Sequence, residues 1–118
     1  MAIEKWIGFQ FSTGSYPGAD YLDFQKEAIR ELKKMVKPDF TVKANKNHYA
    51  FSAVLHHEES GKYVYISISD VRDFGDQWYN RVLIRMMAHD KDWTGGPNHY
   101  CTWPKIKDTA LWLLQNGG

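Results

Sequence analysis

The segment Lys62–Asp70 alternates strictly between apolar and polar side chains, and no other pattern in the chain constrains the fold so strongly. In an extended strand, successive side chains point to opposite faces of the sheet. One face then carries Val64, Ile66 and Ile68, and the other carries Tyr63, Tyr65, Ser67 and Ser69. An apolar strand face must be buried against another element of the fold. We therefore predict a sheet that is buried on its Val64 side and faces water or an interface on its Tyr63 side.

Similar patterns predict the other elements, in the order β-α-β-β-β-β-α. We expect strands at Trp6–Phe11, Phe40–Ala44, Tyr49–His56, Lys62–Asp70 and Asn80–His89, and helices at Asp20–Val36 and after Thr102. Asp20 is the expected N-cap of the first helix, and Pro38 its stop. Short turns favour antiparallel pairing. The result is an α+β fold: a mostly antiparallel sheet of about five strands with two helices on one face.

The segment Asn80–His89 is ambiguous between strand and helix. Its Leu, Arg and Met residues are good helix formers, which fits a short helix. Its apolar residues also alternate, and we favour the strand. That strand turns Val82, Ile84, Met86 and Ala88 inward and Arg81, Leu83, Arg85, Met87 and His89 outward.

Length and composition limit the classes of protein to which this chain can belong. The 118 residues fit one α+β domain, placed at residues 1–118, and a hydrophobic fraction of 43% is enough for a core. No apolar run reaches the roughly 20 residues of a membrane-spanning helix, and the first residues do not resemble a signal peptide. The single cysteine, Cys101, excludes an internal disulfide. These features predict a soluble cytoplasmic protein with no membrane partner.

The near balance of charge limits the choice of partner. Fifteen basic and 14 acidic side chains give a net charge of +1, whereas nonspecific nucleic-acid binders need a large basic excess. We therefore expect no strong nonspecific nucleic-acid binding, and no acidic mimic of DNA. Aromatic residues make up 15% of the chain, more than so small a core readily absorbs. The surplus suits stacking or an interface.

The uncovered side of the predicted sheet combines flat rings with cations. It carries Tyr63 and Tyr65 from one strand, and Arg81, Arg85 and His89 from the next. Tyrosine rings can stack on bases, and guanidinium groups bind phosphate through paired hydrogen bonds. Tyr and Arg are also common on solvated strands and in dimer interfaces. Three interpretations stay open: a solvated surface, a nucleotide or nucleic-acid site, and a protein interface.

The loop predicted at Asp90–Tyr100 holds the densest group of unusual side chains. Its candidate ligand-binding residues are Trp93, Gly95, Gly96, Asn98, His99 and Tyr100. Binding residues concentrate on loops held by a rigid scaffold, and a glycine pair lets backbone N–H groups approach an anion closely. The alternative is that Trp93 and Trp103 only fill the edge of the core.

Metal and catalytic sites fit the sequence less well. His89, Asp92 and His99 follow no standard metal-ligand spacing, and the run His56–Glu59 is more typical of a charged hairpin tip. Cys101 with His99 or His89 is a candidate thiolate pair, but a lone cysteine beside a helix start is more often a small buried residue. We expect no metal, no cofactor and no catalytic residue, and a binding protein rather than an enzyme.

Four blocks of the sequence carry a resemblance to a known group of proteins. They are Trp6–Gln10, Lys62–Arg72, Trp78–Arg85, and His89–Tyr100 with its Trp-Thr-Gly-Gly. Together they resemble an uncharacterised family of small proteins from bacteriophages and mobile elements of gut bacteria. The resemblance implies a phage protein acting in the cytoplasm of a bacterial host, as an antagonist of host defence. It implies no catalytic residues.

One function is expected, with two alternatives. We expect a non-enzymatic, phage-type binding protein that sequesters a nucleotide-like, phosphate-bearing immune signal of the host. The first alternative is an anti-CRISPR-type inhibitor that binds a host defence protein. The second is a small phosphodiesterase or nuclease. An aromatic sheet face on so small a domain also predicts self-association as a homo-oligomer, most simply a dimer.

Overall fold

A computed structural model of the protein describes residues 2–12, 18–46, 51–68, 77–87, 89 and 97–116. Its helices are α1 (Ala19–Met35) and α2 (Ile106–Asn116), with short 3-10 helices at Ala2–Trp6, Trp78–Asn80 and Trp103–Lys105. Its strands are β1 (Thr41–Lys46), β2 (Phe51–His57), β3 (Lys62–Ile68), β4 (Val82–Met87) and β5 (His99–Cys101). They form one antiparallel sheet whose spatial order, β1-β2-β3-β4-β5, follows the chain. The predicted α+β fold class is confirmed. No helix within these ranges is long and apolar enough to cross a membrane.

Both helices pack against the same face of the sheet, as the alternation in β3 predicts. Val64, Ile66 and Ile68 are at most 1% exposed, and they share one core with Leu32 of α1 and Leu113 of α2. The residues between them in β3 are half-buried and lie on the opposite face. Burial of the apolar face removes it from water, and this drives the association of sheet and helices.

Helix α1 forms because its apolar residues recur at helical spacing. It begins after the N-cap Gly18, so the prediction that Asp20 is the N-cap is wrong. Asp20 lies in the first turn, where its carboxylate accepts hydrogen bonds from the backbone N–H and the hydroxyl of Ser12 at 2.8 and 2.9 Å. The carboxylate therefore ties the preceding segment to the helix. The fully buried apolar stripe consists of Tyr21, Phe24, Ala28 and Leu32.

The strand predicted at Trp6–Phe11 is wrong. The chain there leaves a 3-10 helix, and Gly8 has a φ of +74°, a left-handed conformation outside the strand region. The aromatic rings pack on one another: Trp6 stacks on Phe11 at a centroid distance of 5.5 Å, and Phe9 meets Phe11 at 4.9 Å. Spacing that imitates strand alternation is thus explained by a glycine turn and a ring cluster.

The fifth strand comes from a segment predicted as loop. His99–Cys101 forms β5 and pairs with β4, with Val82 opposite Cys101, Leu83 opposite Tyr100 and Ile84 opposite His99. The predicted element order is therefore wrong at both of these places, although the number of strands is right. Three residues are too few to show a periodicity, and β5 exists only through its backbone pairing with β4.

The ambiguous segment before it is a strand, as predicted. β4 spans Val82–Met87 and pairs antiparallel with β3. Val82 and Ile84 are fully buried in the core, and Arg81, Leu83 and Arg85 alternate with them. This alternation fixes which side chains reach the face away from the helices.

Trp78 and Trp103 lie in the core, and their rings meet edge to face at 6.1 Å. Trp103 is fully buried, so for this residue the core-filling interpretation is correct. The indole N–H of Trp78 donates to the backbone carbonyl of Trp6 at 3.4 Å. The indole nitrogen of Trp103 is buried, and among the described residues it has no hydrogen-bond partner. The two rings therefore fill similar space in the core, but among the described residues only the indole N–H of Trp78 is hydrogen-bonded.

Candidate functional site

The strand register assembles one continuous surface on the side of the sheet that α1 and α2 do not cover. We call it the tyrosine face. It consists of three cross-strand rows: Thr41-His56-Tyr63-Met87, Lys43-Val54-Tyr65-Arg85, and Asn45-Ser52-Ser67-Leu83-Tyr100. The rows combine rings, hydroxyl groups and cations with the apolar side chains of Val54, Leu83 and Met87, so the surface carries groups for both stacking and hydrogen bonding.

The tyrosine face is less exposed than its polar composition suggests. Tyr63 and Tyr65 are half-buried, while Val54, Arg85 and Met87 are at most 5% exposed. Val54 and Met87 are buried outside the core that joins the sheet to the helices. Part of the tyrosine face is therefore already removed from water in the folded chain.

Tyr65 and Arg85 form a cross-strand cation–π pair at the centre of the face. They are register partners in β3 and β4, and the guanidinium carbon lies 4.9 Å from the centre of the tyrosine ring. The guanidinium also donates to the backbone carbonyl of Met86 at 3.4 Å. A cation over an aromatic ring is attracted by the ring quadrupole, and burial strengthens that attraction. Arg85 and Tyr65 therefore hold each other in place.

Arg81 and Tyr100 make a second, exposed pair at the β4–β5 edge. The guanidinium carbon of Arg81 lies 5.8 Å from the centre of the Tyr100 ring, which is 55% exposed. Arg81 and Arg85 are four residues apart, which along a strand is about 13 Å. Leu83 lies between them on the same face. The tyrosine face therefore carries two arginine–tyrosine pairs, one buried and one exposed.

A ring stack at the other end of the face was not predicted. His56 of β2 lies parallel to Tyr63 of β3, with centroids 4.4 Å apart and planes 16° from parallel. The sequence suggested that His56 belongs to a charged hairpin tip. Only the register of β2 on β3 reveals that it faces Tyr63. The stack adds a histidine ring to the tyrosine rings of this face.

The structure brings together five of the predicted site residues and separates others. Tyr63, Tyr65, Arg81, Arg85 and Tyr100 lie on the tyrosine face. His99 points to the helix side, where its ring meets Trp112 of α2 at 5.9 Å. Asn98 and His89 are exposed beside the sheet. The predictions for Trp93, Gly95 and Gly96 lie outside the described residues.

The candidate thiolate pair has an unfavourable setting. Burial raises the pKa of the Cys101 thiol above its ordinary value, and a hydrogen bond from Thr109 opposes the rise only in part. A thiol with a raised pKa is a poor nucleophile at neutral pH.

Near the hairpin tip, His57 Nδ1 is bonded within the turn, 2.7 Å from the Ser60 hydroxyl. Among the described residues, no three His, Cys, Asp or Glu side chains are grouped so as to hold a metal ion.

Comparisons with known proteins found no match, so the function proposed below rests on the geometry of the tyrosine face. The sequence matches no protein-family model. Neither the curated proteins nor the solved structures contain a match to the chain.

Proposed function

We propose that the protein binds a phosphate-bearing, nucleotide-like ligand on its tyrosine face and does not transform it. The sequence resembles small phage proteins. In a phage-infected host, a protein that holds such a ligand removes an immune signal and so antagonises host defence. The partner is then a small molecule, and the activity is sequestration.

The observation that supports this proposal is the presence of two arginine–tyrosine pairs on one sheet face. Arg81 is exposed, and its planar guanidinium can make two parallel hydrogen bonds to a phosphate group. The exposed ring of Tyr100 beside it offers a stacking surface for a base, an interaction worth about 1–3 kcal/mol. A nucleotide presents these two groups, an anion and a flat ring, at neighbouring positions.

Arg85 has a different role from Arg81 in this proposal. Its guanidinium is buried against Tyr65 and bonded to the Met86 carbonyl, so it is committed to holding the ring of Tyr65. A ring held in one orientation loses little entropy when a ligand stacks on it. We assign phosphate contact to Arg81 and orientation of the stacking surface to Arg85.

Native mass spectrometry of the purified protein tests the proposal directly. We expect an added mass of a few hundred daltons in the range of nucleotides, lost on heating, and release of the same molecule intact. A released molecule that has been hydrolysed would indicate a phosphodiesterase or nuclease. Failure to bind any member of a panel of mononucleotides and cyclic dinucleotides, together with no co-purified ligand, would overturn the proposal.

Substitution of Arg81 locates the site. Arg81→Lys keeps the charge and loses the forked geometry, so affinity for the ligand should fall about tenfold. Arg30→Lys is the matched control, because Arg30 is exposed on α1, on the other side of the sheet. Equal affinities for the two variants would remove Arg81 from the site.

A second candidate function rests on the exposure of Tyr100. A tyrosine 55% exposed beside an arginine is the kind of residue that dominates protein–protein interfaces. It suits an inhibitor that docks this edge of the sheet on a host defence protein. Such an inhibitor holds no small molecule in native mass spectrometry, which separates the two functions.

A further inference from the structure

We propose a second ligand site, independent of the tyrosine face, at the corner where α1 ends and β1 begins. A cavity of about 300 Å³ lies there, lined by Lys33, Lys37, Pro38, Phe40, Thr41 and Val42. The geometry points to a small amphiphilic anion: a phosphate or carboxylate group carried on an aromatic or apolar body.

The floor of the cavity is apolar and firmly held. Phe40 is 3% exposed and Val42 is half-buried, and both belong to or pack against the core. The ring of Phe40 is backed by His57 of β2 at 5.4 Å. A volume of about 300 Å³ lies at the small end of known ligand sites, which suits a ligand of one ring with an acidic substituent.

The rim is cationic. Lys33 and Lys37 are exposed, and neither forms an ion pair with a carboxylate of the described residues. Asp39, two residues after Lys37, is already paired with Lys107 at 3.2 Å. Thr41 adds a hydroxyl group to the lining. Two ammonium groups beside an apolar floor complement an anion with an apolar body.

Three backbone carbonyls around the end of α1 already have donors other than these lysines. The carbonyl of Leu32 accepts from Val36 N–H, and that of Val36 accepts from Phe40 N–H. The carbonyl of Lys37 accepts from the ammonium group of Lys107 at 2.8 Å. These three carbonyls are therefore bonded to other donors and not to the ammonium groups of Lys33 and Lys37.

The site is separate from the one proposed above. β1 and β5 are the two edges of the sheet, four strand spacings or about 19 Å apart. Tyr100 lies at the β5 edge and the cavity at the β1 edge. Loss of one site therefore leaves the other in place, and a failed test of either says nothing against the other.

Titration of isotope-labelled protein with phenyl phosphate, followed by amide NMR, tests the inference. We expect the amide signals of Thr41 and Val42 to shift, with phenyl phosphate binding at least about tenfold more tightly than inorganic phosphate or phenol. Benzoate in a parallel titration distinguishes a phosphate from a carboxylate preference. No shift at Thr41 and Val42 with either aromatic anion, or equal binding of inorganic phosphate, would overturn the inference.

A double variant assigns the binding to the rim. Lys33→Gln with Lys37→Gln should weaken phenyl phosphate binding at least about tenfold, because both ammonium groups are removed. Lys34→Gln is the control, since Lys34 is exposed on the same helix and does not line the cavity. All three positions are exposed, so the variants should fold, which thermal unfolding verifies. Unchanged affinity in the double variant, or an equal loss in the control, contradicts the site.

Discussion

At the scale of single residues, Trp78 and Trp103 form a natural comparison. Both are at most 1% exposed, but within the described part of the chain only Trp78 has a partner for its indole N–H. Phenylalanine at either position removes similar apolar area. Trp78→Phe also removes the hydrogen bond from the indole to the Trp6 carbonyl, which keeps its second donor, the Phe9 N–H at 3.2 Å. Trp103→Phe instead removes a donor that is unsatisfied among the described residues.

We therefore expect Trp78→Phe to lower the free energy of unfolding by about 1 kcal/mol more than Trp103→Phe does. Urea unfolding of both variants and the parent protein measures this difference. A greater loss for Trp103→Phe would show that ring shape, and not hydrogen bonding, sets the stability at these positions.

Asp20 makes the stability of the fold depend on pH in the acid range. Hydrogen bonds from the backbone and side chain of Ser12 hold the pKa of the Asp20 carboxyl below its ordinary value of 3.8. A lowered folded-state pKa means that the charged form stabilises the fold. That contribution is complete above the ordinary value and is lost as the pH falls through the lowered one.

We expect Asp20→Asn to lower the melting temperature at neutral pH by a few degrees, and the difference from the parent to vanish in strong acid. Thermal unfolding at a series of pH values measures this. Asp23→Asn, at an exposed position in the same helix, is the control and should show a smaller difference at neutral pH. A pH-independent difference for Asp20→Asn would mean that its charge is not involved.

At the scale of elements, neighbouring residues of the three-residue strand β5 face opposite sides of the sheet. His99 points to the helix side and meets Trp112, while Tyr100 points to the tyrosine face and is 55% exposed. Alternation along a strand therefore gives adjacent positions different surroundings: His99 packs against α2, and Tyr100 faces away from it. Sequence proximity had suggested that both residues bind ligand.

We expect His99→Ala to lower the melting temperature with little effect on ligand affinity. Tyr100→Ala should do the reverse, because its ring contributes stacking worth about 1–3 kcal/mol and little buried area. Thermal unfolding and nucleotide binding, measured on the same two variants, check this. If His99→Ala abolishes binding in a fully folded protein, the ligand contacts the helix side of β5.

At the scale of the whole molecule, the tyrosine face predicts self-association. Its rows present Leu83 and Tyr100 together with half-buried tyrosines, on a sheet face that neither helix covers. An aromatic surface of this kind is commonly covered by a partner, and a second copy is always present in solution.

Sedimentation should show a dimer that Leu83→Glu converts to monomer, because a carboxylate in the interface must be desolvated. Leu22→Glu is the control, since Leu22 is 45% exposed on α1, on the opposite side of the sheet. A parent protein that stays monomeric at high concentration contradicts the prediction, and a dimer lost in both variants would place the interface elsewhere.

The sequence by itself determined the elements that repeat a pattern over several residues. The period of two in Lys62–Ile68 predicted a strand with one buried face, and the helical period after Ala19 predicted α1. It also placed Tyr63, Tyr65, Arg81 and Arg85 outside the helix-covered core. These features follow from backbone geometry and burial, which act within a single segment.

Only the tertiary structure decided which segments meet. The pairing of β5 with β4 brought Tyr100 to Arg81, and the register of β2 on β3 stacked His56 on Tyr63. The packing of α1 also drew the rings of Trp6 and Phe11 into a cluster instead of a strand. Such contacts join residues far apart in the chain. Their partners are set by competition among all possible packings, so no local periodicity in the sequence reports them.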